Sequence, residues 1–102
     1  MKVVIGAMIA AGVVIAAPAR ADEALARKSN CLACHMIDKK SVGPAYKDIA
    51  KKYKGQAGMD VKLAGKVKKG GQGVWGPVPM PPNAAVPDAD IKKLVDWILK
   101  LG

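Results

Sequence analysis

The sequence contains no phenylalanine and few other aromatic residues. Two tryptophans and two tyrosines are the only large aromatic side chains among its 102 residues. A chain of this length buries little apolar surface, and small domains usually need a disulfide, a metal or a cofactor to stabilise them. The composition therefore excludes a large aromatic core and predicts one small domain whose interior is completed by something besides its own side chains.

Histidine and cysteine are also scarce, which limits the metal chemistry. His35 is the only histidine, and Cys31 and Cys34 are the only cysteines. A structural zinc site takes four Cys or His ligands, so one chain cannot supply it. A disulfide between cysteines this close in sequence would stabilise little chain. A redox-active dithiol remains an alternative, although it expects the strand–helix context of a thioredoxin-like fold.

The three scarce residues form one motif, Cys31-Leu32-Ala33-Cys34-His35. Cys-x-x-Cys-His is typical of covalent haem attachment. Two thiols on one helical turn can each add to a vinyl group, and the histidine that follows can bind the iron through an imidazole nitrogen. The motif predicts one haem c, bound through Cys31 and Cys34, with His35 as an iron ligand. A second histidine ligand is excluded within one chain.

No apolar run reaches the roughly 20 residues that span a bilayer. Residues 3–17 form an apolar run that follows Lys2 and precedes Ala19-Arg20-Ala21. A basic residue, a short apolar segment and an A-x-A end are typical of a secretory signal peptide, with an uncleaved anchor as the alternative. We expect cleavage after Ala21, leaving residues 22–102 as the mature domain without stable membrane insertion. The net charge is +9, but an exported protein is poorly placed to meet nucleic acid.

Apolar residues recur at helical spacing, and no segment alternates as a strand would. Asp22 and Asp60 are expected N-caps, because a side-chain oxygen there can accept a bond from the first turn. The pattern predicts an all-α domain of four helices, the last packed on the first. The expected helices cover about 23–30, 45–54, 61–69 and 88–101.

Residues 72–87 contain five of the seven prolines and no charged residue. Such a loop is stiff and cannot be helical throughout. Met80 lies in its middle. Met36 is adjacent to His35 and cannot reach the other face of a haem, and Met59 lies in a turn where a surface or core role is expected. We therefore predict Met80 as the second iron ligand.

Histidine and methionine ligands together indicate an electron carrier. A thioether favours ferrous iron and raises the reduction potential, and full coordination keeps reactants from the metal. Two other functions remain open. One is a haem gas sensor or peroxidase-like protein with a labile sixth ligand, and the other is a haem-free thiol–disulfide protein.

The motifs CLACH, VGPAY and QGVWGPVPMPPN, with a final helix containing Trp97, resemble the short bacterial mono-haem class I cytochromes c. The resemblance covers residues 22–102. It implies a compact all-α fold wrapped around one haem c, with Cys31 and Cys34 as thioethers and with His35 and Met80 as axial ligands.

The resemblance also implies roles for four residues around the ligands. The Pro44 carbonyl would accept a hydrogen bond from His35, as metal-bound histidines generally require. Trp75 would donate to a haem propionate, and Asn83 would orient the Met80 sulfur. Lys66 occupies a position where the family often uses a basic residue for a propionate, although lysine lacks the planar fork of arginine.

In function, the resemblance implies a monomeric periplasmic one-electron carrier that is not an enzyme. Its expected partners are redox proteins with acidic docking surfaces, such as reductases, oxidases, peroxidases or membrane cytochrome complexes. We expect docking at an exposed haem edge beside Val42, Gly43, Pro44 and residues 78–82, with salt-sensitive attraction from nearby lysines. Those lysines include Lys39, Lys40, Lys47 and Lys51.

Overall fold

The structure is a computed structural model that describes residues 18–102, with side chains from residue 22 onward. The apolar run of the expected signal peptide, residues 3–17, lies outside the described residues. Within the described part there is no strand beyond one isolated antiparallel bridge between Gly71 and Met80. No helix of residues 18–102 has the length and hydropathy needed to cross a membrane. The helices are α1 (Pro18–Lys28), α2 (Tyr46–Tyr53), α3 (Met59–Lys69) and α4 (Asp88–Leu99), with one 3₁₀ turn at Cys31–Ala33.

Four helices in this order confirm the predicted all-α class, but both predicted N-caps are wrong. Asp22 lies inside α1, because the described part of this helix already includes Pro18, four residues earlier. Asp60 lies in the first turn of α3, whose N-cap is Gly58 in the left-handed region at φ 78°. No side chain caps α3, and the Asp60 carboxylate instead lies near the positive end of the helix dipole.

Helix α4 is the centre of the fold, since it contacts α1, α2 and α3. Its predicted apolar face is confirmed, because Ile91, Leu94, Val95, Trp97 and Ile98 are all buried. A single cluster joins Leu94, Trp97 and Ile98 to Ala26 of α1 and Tyr46 of α2. The predicted packing of the last helix on the first is therefore confirmed, and the cluster leaves one side of α4 facing a cavity.

Helix α3 contributes little to this core. Met59 is its only buried residue, and its apolar residues Leu63, Ala64 and Val67 are half-buried. Leu63 and Val67 instead line the same cavity that α4 faces. Apolar side chains that face a cavity bury less surface than those in a packed core. This face of α3 is therefore only partly covered by other side chains of the protein. Lys68, which the sequence analysis did not single out, anchors α3 by ion-pairing with Asp88 at 3.0 Å.

Candidate functional site

A cavity of about 700 Å³ lies between α2, α3, α4, the Cys31–His35 turn and the proline-rich loop. Its volume falls within the range typical of small-molecule and cofactor sites, about 300–1,000 Å³. Most of its lining side chains are apolar. Of the eight site residues expected from the sequence, Asn83 alone does not line it, while the other seven do: Cys31, Cys34, His35, Pro44, Lys66, Trp75 and Met80.

The Cys-x-x-Cys-His segment forms a tight turn at one side of the cavity. Asn30 enters it in the left-handed region at φ 62°, which asparagine tolerates better than most residues. The amides of Cys34 and His35 both donate to the Cys31 carbonyl, at 3.2 and 3.0 Å. This turn brings two free, partly buried thiols and the imidazole to one cavity. Burial raises the pKa of the Cys31 thiol, partly offset by a hydrogen bond with Tyr46.

His35 is 9% exposed, and its Nδ1 lies 2.8 Å from the Pro44 carbonyl oxygen. A carbonyl only accepts, so Nδ1 must carry the proton and donate it. The lone pair of the neutral ring then lies on Nε2, which is the arrangement a metal-bound histidine needs. The Pro44 carbonyl therefore fixes both the tautomer and the plane of the ring.

Gly43 and Tyr46 hold the two sides of the imidazole. A Cβ at position 43 would lie 2.6 Å from Cε1 of His35 and 2.9 Å from its Nδ1. The Tyr46 ring stacks on the imidazole with centroids 5.1 Å apart and planes inclined by 21°. Burial raises the pKa of the Tyr46 hydroxyl far above its usual value, and the neighbouring Cys31 thiol adds to the effect.

The contacts of Gly43 and Tyr46 with the imidazole were not predicted from the sequence. Gly43 was expected only beside an exposed haem edge, and Tyr46 was noted only within the motif VGPAY. Tyr53, the last residue of α2, also lines the cavity. One feature of the sequence could have indicated the role of Tyr46. It lies two residues after the Gly43-Pro44 pair, which contacts the histidine.

The proline-rich loop positions Met80 through its backbone. Gly71 and Met80 exchange two hydrogen bonds, with the Gly71 amide 3.1 Å from the Met80 carbonyl and the Met80 amide 2.7 Å from the Gly71 carbonyl. Gly70 adopts φ +81°, and a Cβ there would lie 2.6 Å from the Met80 carbonyl oxygen. The Gly70-Gly71 pair, which follows the last residue of α3, thus permits the close approach of the loop.

Asn83 ties the same loop to α3. Its backbone amide and its side-chain Nδ2 both donate to the Val67 carbonyl, at 3.0 and 3.1 Å. The Nδ2 group also lies 3.3 Å from the Pro81 carbonyl. The side-chain amide of Asn83 therefore donates to backbone carbonyls. The expected role of Asn83 in orienting the Met80 sulfur stays a prediction.

Trp75 and Lys66 line the cavity near solvent. Trp75 is 40% exposed, and the Lys52 ammonium lies 5.4 Å from the centre of its ring. Lys66 is an exposed residue on the third turn of α3. Contacts of Trp75 and Lys66 with a propionate stay predictions.

The residues present fit a haem c. Two thiols can form thioethers, the Nε2 lone pair and the Met80 thioether could each donate to iron, and Leu63 and Val67 present apolar surface to the cavity. Gly43 leaves space against the imidazole that a side chain would fill. The donor set and the apolar lining therefore match one covalently bound haem.

Comparison with known proteins gives one family. Residues 21–102 match the family model described as Cytochrome c. The chain is 53% identical over 97 residues to cytochrome c-552 of Nitrosomonas europaea, covering 95% of this chain and 94% of that protein. It is 51% identical over 94 residues to cytochrome c-551 of Pseudomonas aeruginosa, covering 90% and 89%. The crystal structure of wild-type Nitrosomonas europaea cytochrome c552 superposes with a TM-score of 0.77 at 56% identity, covering 78% of this chain and 99% of that chain.

Proposed function

We propose that this chain, which belongs to the cytochrome c family, is a periplasmic one-electron carrier whose low-spin haem iron is bound by His35 and Met80. Its family and its two cysteines fit one covalently bound haem c, and its fold is that of a small mono-haem class I cytochrome c. Such proteins carry electrons and are not enzymes, in agreement with the prediction from the sequence. The ligands, the location and the partners are the parts that we propose.

The observation that carries the ligand assignment is the hydrogen bond of 2.8 Å between His35 Nδ1 and the Pro44 carbonyl. It leaves Nε2 as the only ring nitrogen able to bind iron. Met80 supports the assignment from another segment, since its backbone is held in the same cavity by Gly71. Met59 is buried in the core and does not line the cavity, and Met36 is 46% exposed.

When bound, the haem supplies an iron that changes by one electron between its ferrous and ferric states. The apolar side chains that line the cavity would surround that iron and limit its contact with solvent, which would favour the ferrous state. His35 keeps its ring plane through Gly43, Pro44 and Tyr46, so it need not move when the charge changes. The proposed Met80 thioether would occupy the remaining coordination position, so that no position would be left for a substrate.

The surface beside the cavity fits a docking site for acidic redox proteins. Val42 and Val78 line the cavity and are 56% and 59% exposed. Lys40 also lines the cavity, and Lys39 precedes it in the chain. Lys47 is less available than expected, because its ammonium lies 2.7 Å from a carboxylate oxygen of Asp38. Lys39, Lys40 and Lys51 are therefore the stronger candidates for attracting a partner.

Export to the periplasm follows from the apolar leader expected over residues 1–21, with the mature carrier over residues 22–102. Mass spectrometry of protein purified from a periplasmic extract tests this directly. We expect one mass equal to residues 22–102 plus one haem. A mass that retains residues 1–21 would contradict cleavage after Ala21.

The visible spectrum of the ferric protein tests the ligands. We expect a low-spin spectrum with a weak sulfur–iron band at its red end. Met80→Ala should abolish this band and lower the midpoint potential, whereas the control Met36→Leu should change neither. An unchanged band and potential in Met80→Ala would overturn the assignment, and a high-spin ferric wild type would favour an open sixth site.

A further inference from the structure

The proline-rich loop has a distinct tip at residues 73–76. The Gly73 amide donates to the Gly76 carbonyl at 3.2 Å, which closes a turn with Trp75 inside it. Both glycines have positive φ, +89° at Gly73 and +121° at Gly76. A Cβ at either position would meet no atom within 4 Å. The backbone of the tip therefore projects from the rest of the fold with little packing around it.

Backbone hydrogen bonds hold the base of the loop but not its tip. At the base, Gly71 and Met80 exchange two bonds. Within residues 18–102, no hydrogen bond of the structure joins residues 72–79 to α2. The position of the tip against α2 consequently depends on side-chain contacts.

Lys52 provides such a contact. Its ammonium on α2 lies 5.4 Å from the centre of the Trp75 ring and 5.9 Å from the centre of the Tyr53 ring. A cation within about 6 Å of an aromatic face is attracted by the electrons of the ring. Tyr53 on α2 and Trp75 in the loop both line the cavity. Lys52 therefore connects the two walls of the cavity that these residues form.

The tip is connected to Met80 by a stiff segment. Only Pro77, Val78 and Pro79 lie between Gly76 and Met80, and each proline fixes its own φ and restricts the residue before it. Beyond Gly76 the segment therefore has little freedom to absorb a displacement of the tip before that displacement reaches Met80.

From these contacts we propose that Lys52 is a positioning residue that holds the loop tip against α2 through Trp75 and so slows the departure of the Met80 sulfur from iron. This inference rests on the proposed ligation by Met80. It does not require Lys52 to touch the haem, and Lys52 is absent from the cavity lining.

The neighbouring Lys51 supplies a matched control. Both lysines are exposed and lie on α2, but the ammonium of Lys51 makes no cation–aromatic contact among the described residues. Lys51→Gln therefore removes the same charge from the same helix without removing the contact. Lys52→Arg keeps a cation that stacks on aromatic rings and should preserve the contact.

Two measurements on the holoprotein test the proposal. The first is the rate at which cyanide replaces the sulfur ligand in the ferric protein. The second is hydrogen exchange of the Gly71 and Met80 amides in the ferrous protein. We expect Lys52→Gln to raise both rates about twofold to fivefold, the range that an exposed cation–aromatic contact supports. Lys51→Gln and Lys52→Arg should remain close to the wild type.

The direction in which the cyanide-binding rate of Lys52→Gln changes distinguishes a positioning role of Lys52 from the effect of removing its charge. Removing a positive charge by itself gives no acceleration, because it attracts the cyanide anion slightly less and leaves neutral hydrogen cyanide unaffected, whereas release of the loop accelerates cyanide binding. Equal rates in Lys52→Gln and Lys51→Gln would overturn the proposal. Faster amide exchange without faster cyanide binding would overturn the link to Met80. If the ferric wild type lacks a sulfur–iron band, the proposed ligation fails, and amide exchange alone still decides whether Lys52 holds the loop.

Discussion

The two sides of the cavity hold their proposed iron ligands in different ways. His35 is 9% exposed, and a backbone carbonyl, a glycine and a stacked tyrosine hold its side chain. Met80 lies in a loop whose neighbours Val78 and Pro79 are exposed, and it is held by its backbone through Gly71. One ligand is therefore fixed at its ring and the other at its main chain.

This difference predicts which ligand leaves first. The imidazole side is part of the core that joins α1, α2 and α4, so moving His35 disturbs Tyr46 and the cluster behind it. The methionine side can open by breaking the Gly71–Met80 pair without disturbing that cluster. Segments with few buried contacts open at low free energy, well below global unfolding. We expect loss of Met80 to precede loss of His35 on heating.

The largest effect is expected from Gly70→Ala on the methionine side. The new Cβ would lie 2.6 Å from the Met80 carbonyl oxygen, and φ +81° is unfavourable for alanine. The strain of alanine in the left-handed region and the clash of its Cβ should together lower the free energy of unfolding by about 2–4 kcal/mol. Chemical denaturation of the holoprotein measures this loss. Gly71→Ala is the control, because its Cβ would meet nothing within 4 Å. Equal losses in the two variants would contradict the close approach at Gly70.

A smaller effect is expected from Gly43→Ala on the histidine side. The new methyl group would lie 2.6 Å from His35 Cε1, so the imidazole must shift and its bond to Pro44 must lengthen. Overpacking of this kind costs about 1–3 kcal/mol of unfolding free energy. The NMR shifts of the His35 ring should change in parallel. Gly65→Ala, inside α3 with no atom within 4 Å, should instead stabilise by about 0.5–1 kcal/mol. A Gly43→Ala protein as stable as Gly65→Ala would show that the ring is not confined.

Asn83→Ala should weaken the methionine side alone. It removes the Nδ2 bonds to the Val67 and Pro81 carbonyls, for a loss of about 0.5–1.5 kcal/mol. Amide exchange at Met80 should rise, while exchange at Tyr46, whose amide donates to the Met36 carbonyl, should not. Gln56→Ala removes an exposed bond to the Lys52 carbonyl and serves as the control. A parallel rise at Tyr46 would mean that the two sides do not open separately.

The smallest effects concern docking beside the cavity. Lys40→Gln should slow electron transfer to an acidic redox partner at low salt, and the difference from the wild type should vanish as salt rises. Lys47→Gln should have less effect, because Asp38 already neutralises this lysine. Stopped-flow rates over a series of salt concentrations test both. A larger effect from Lys47→Gln would contradict this ranking of the lysines.

The sequence allowed prediction of what depends on neighbours along the chain. The four helices followed from apolar spacing, and the candidate iron ligands came from one compact motif and one proline-rich loop. The first helix was misjudged because Asp22 has the side chain of a cap, whereas Pro18 and the residues after it already favour a helix. Asp60 was misjudged for a similar reason, since Gly58 ends the preceding turn with positive φ.

The supports of the ligands were not predictable in the same way. Two close approaches, of Gly43 to His35 and of Gly70 to Met80, form only when separate segments of the chain pack together. The hydropathy pattern of the sequence does not predict them. Tyr46 has the pattern of an ordinary core residue, and only the fold shows that its ring lies on the imidazole. Sequence motifs thus indicated which residues are candidates to bind the iron, and the structure showed what holds those residues in place.

The most direct test of the account is the NMR spectrum of the ferrous protein with methyl-¹³C methionine. When a methionine sulfur binds the iron, the methyl group on that sulfur would lie over the haem ring, and its resonance would shift strongly upfield. We predict one such resonance, lost in Met80→Ala and kept in both Met36→Leu and Met59→Leu. An upfield methyl that persists in Met80→Ala, or the absence of any such resonance from the wild type, would contradict ligation by Met80.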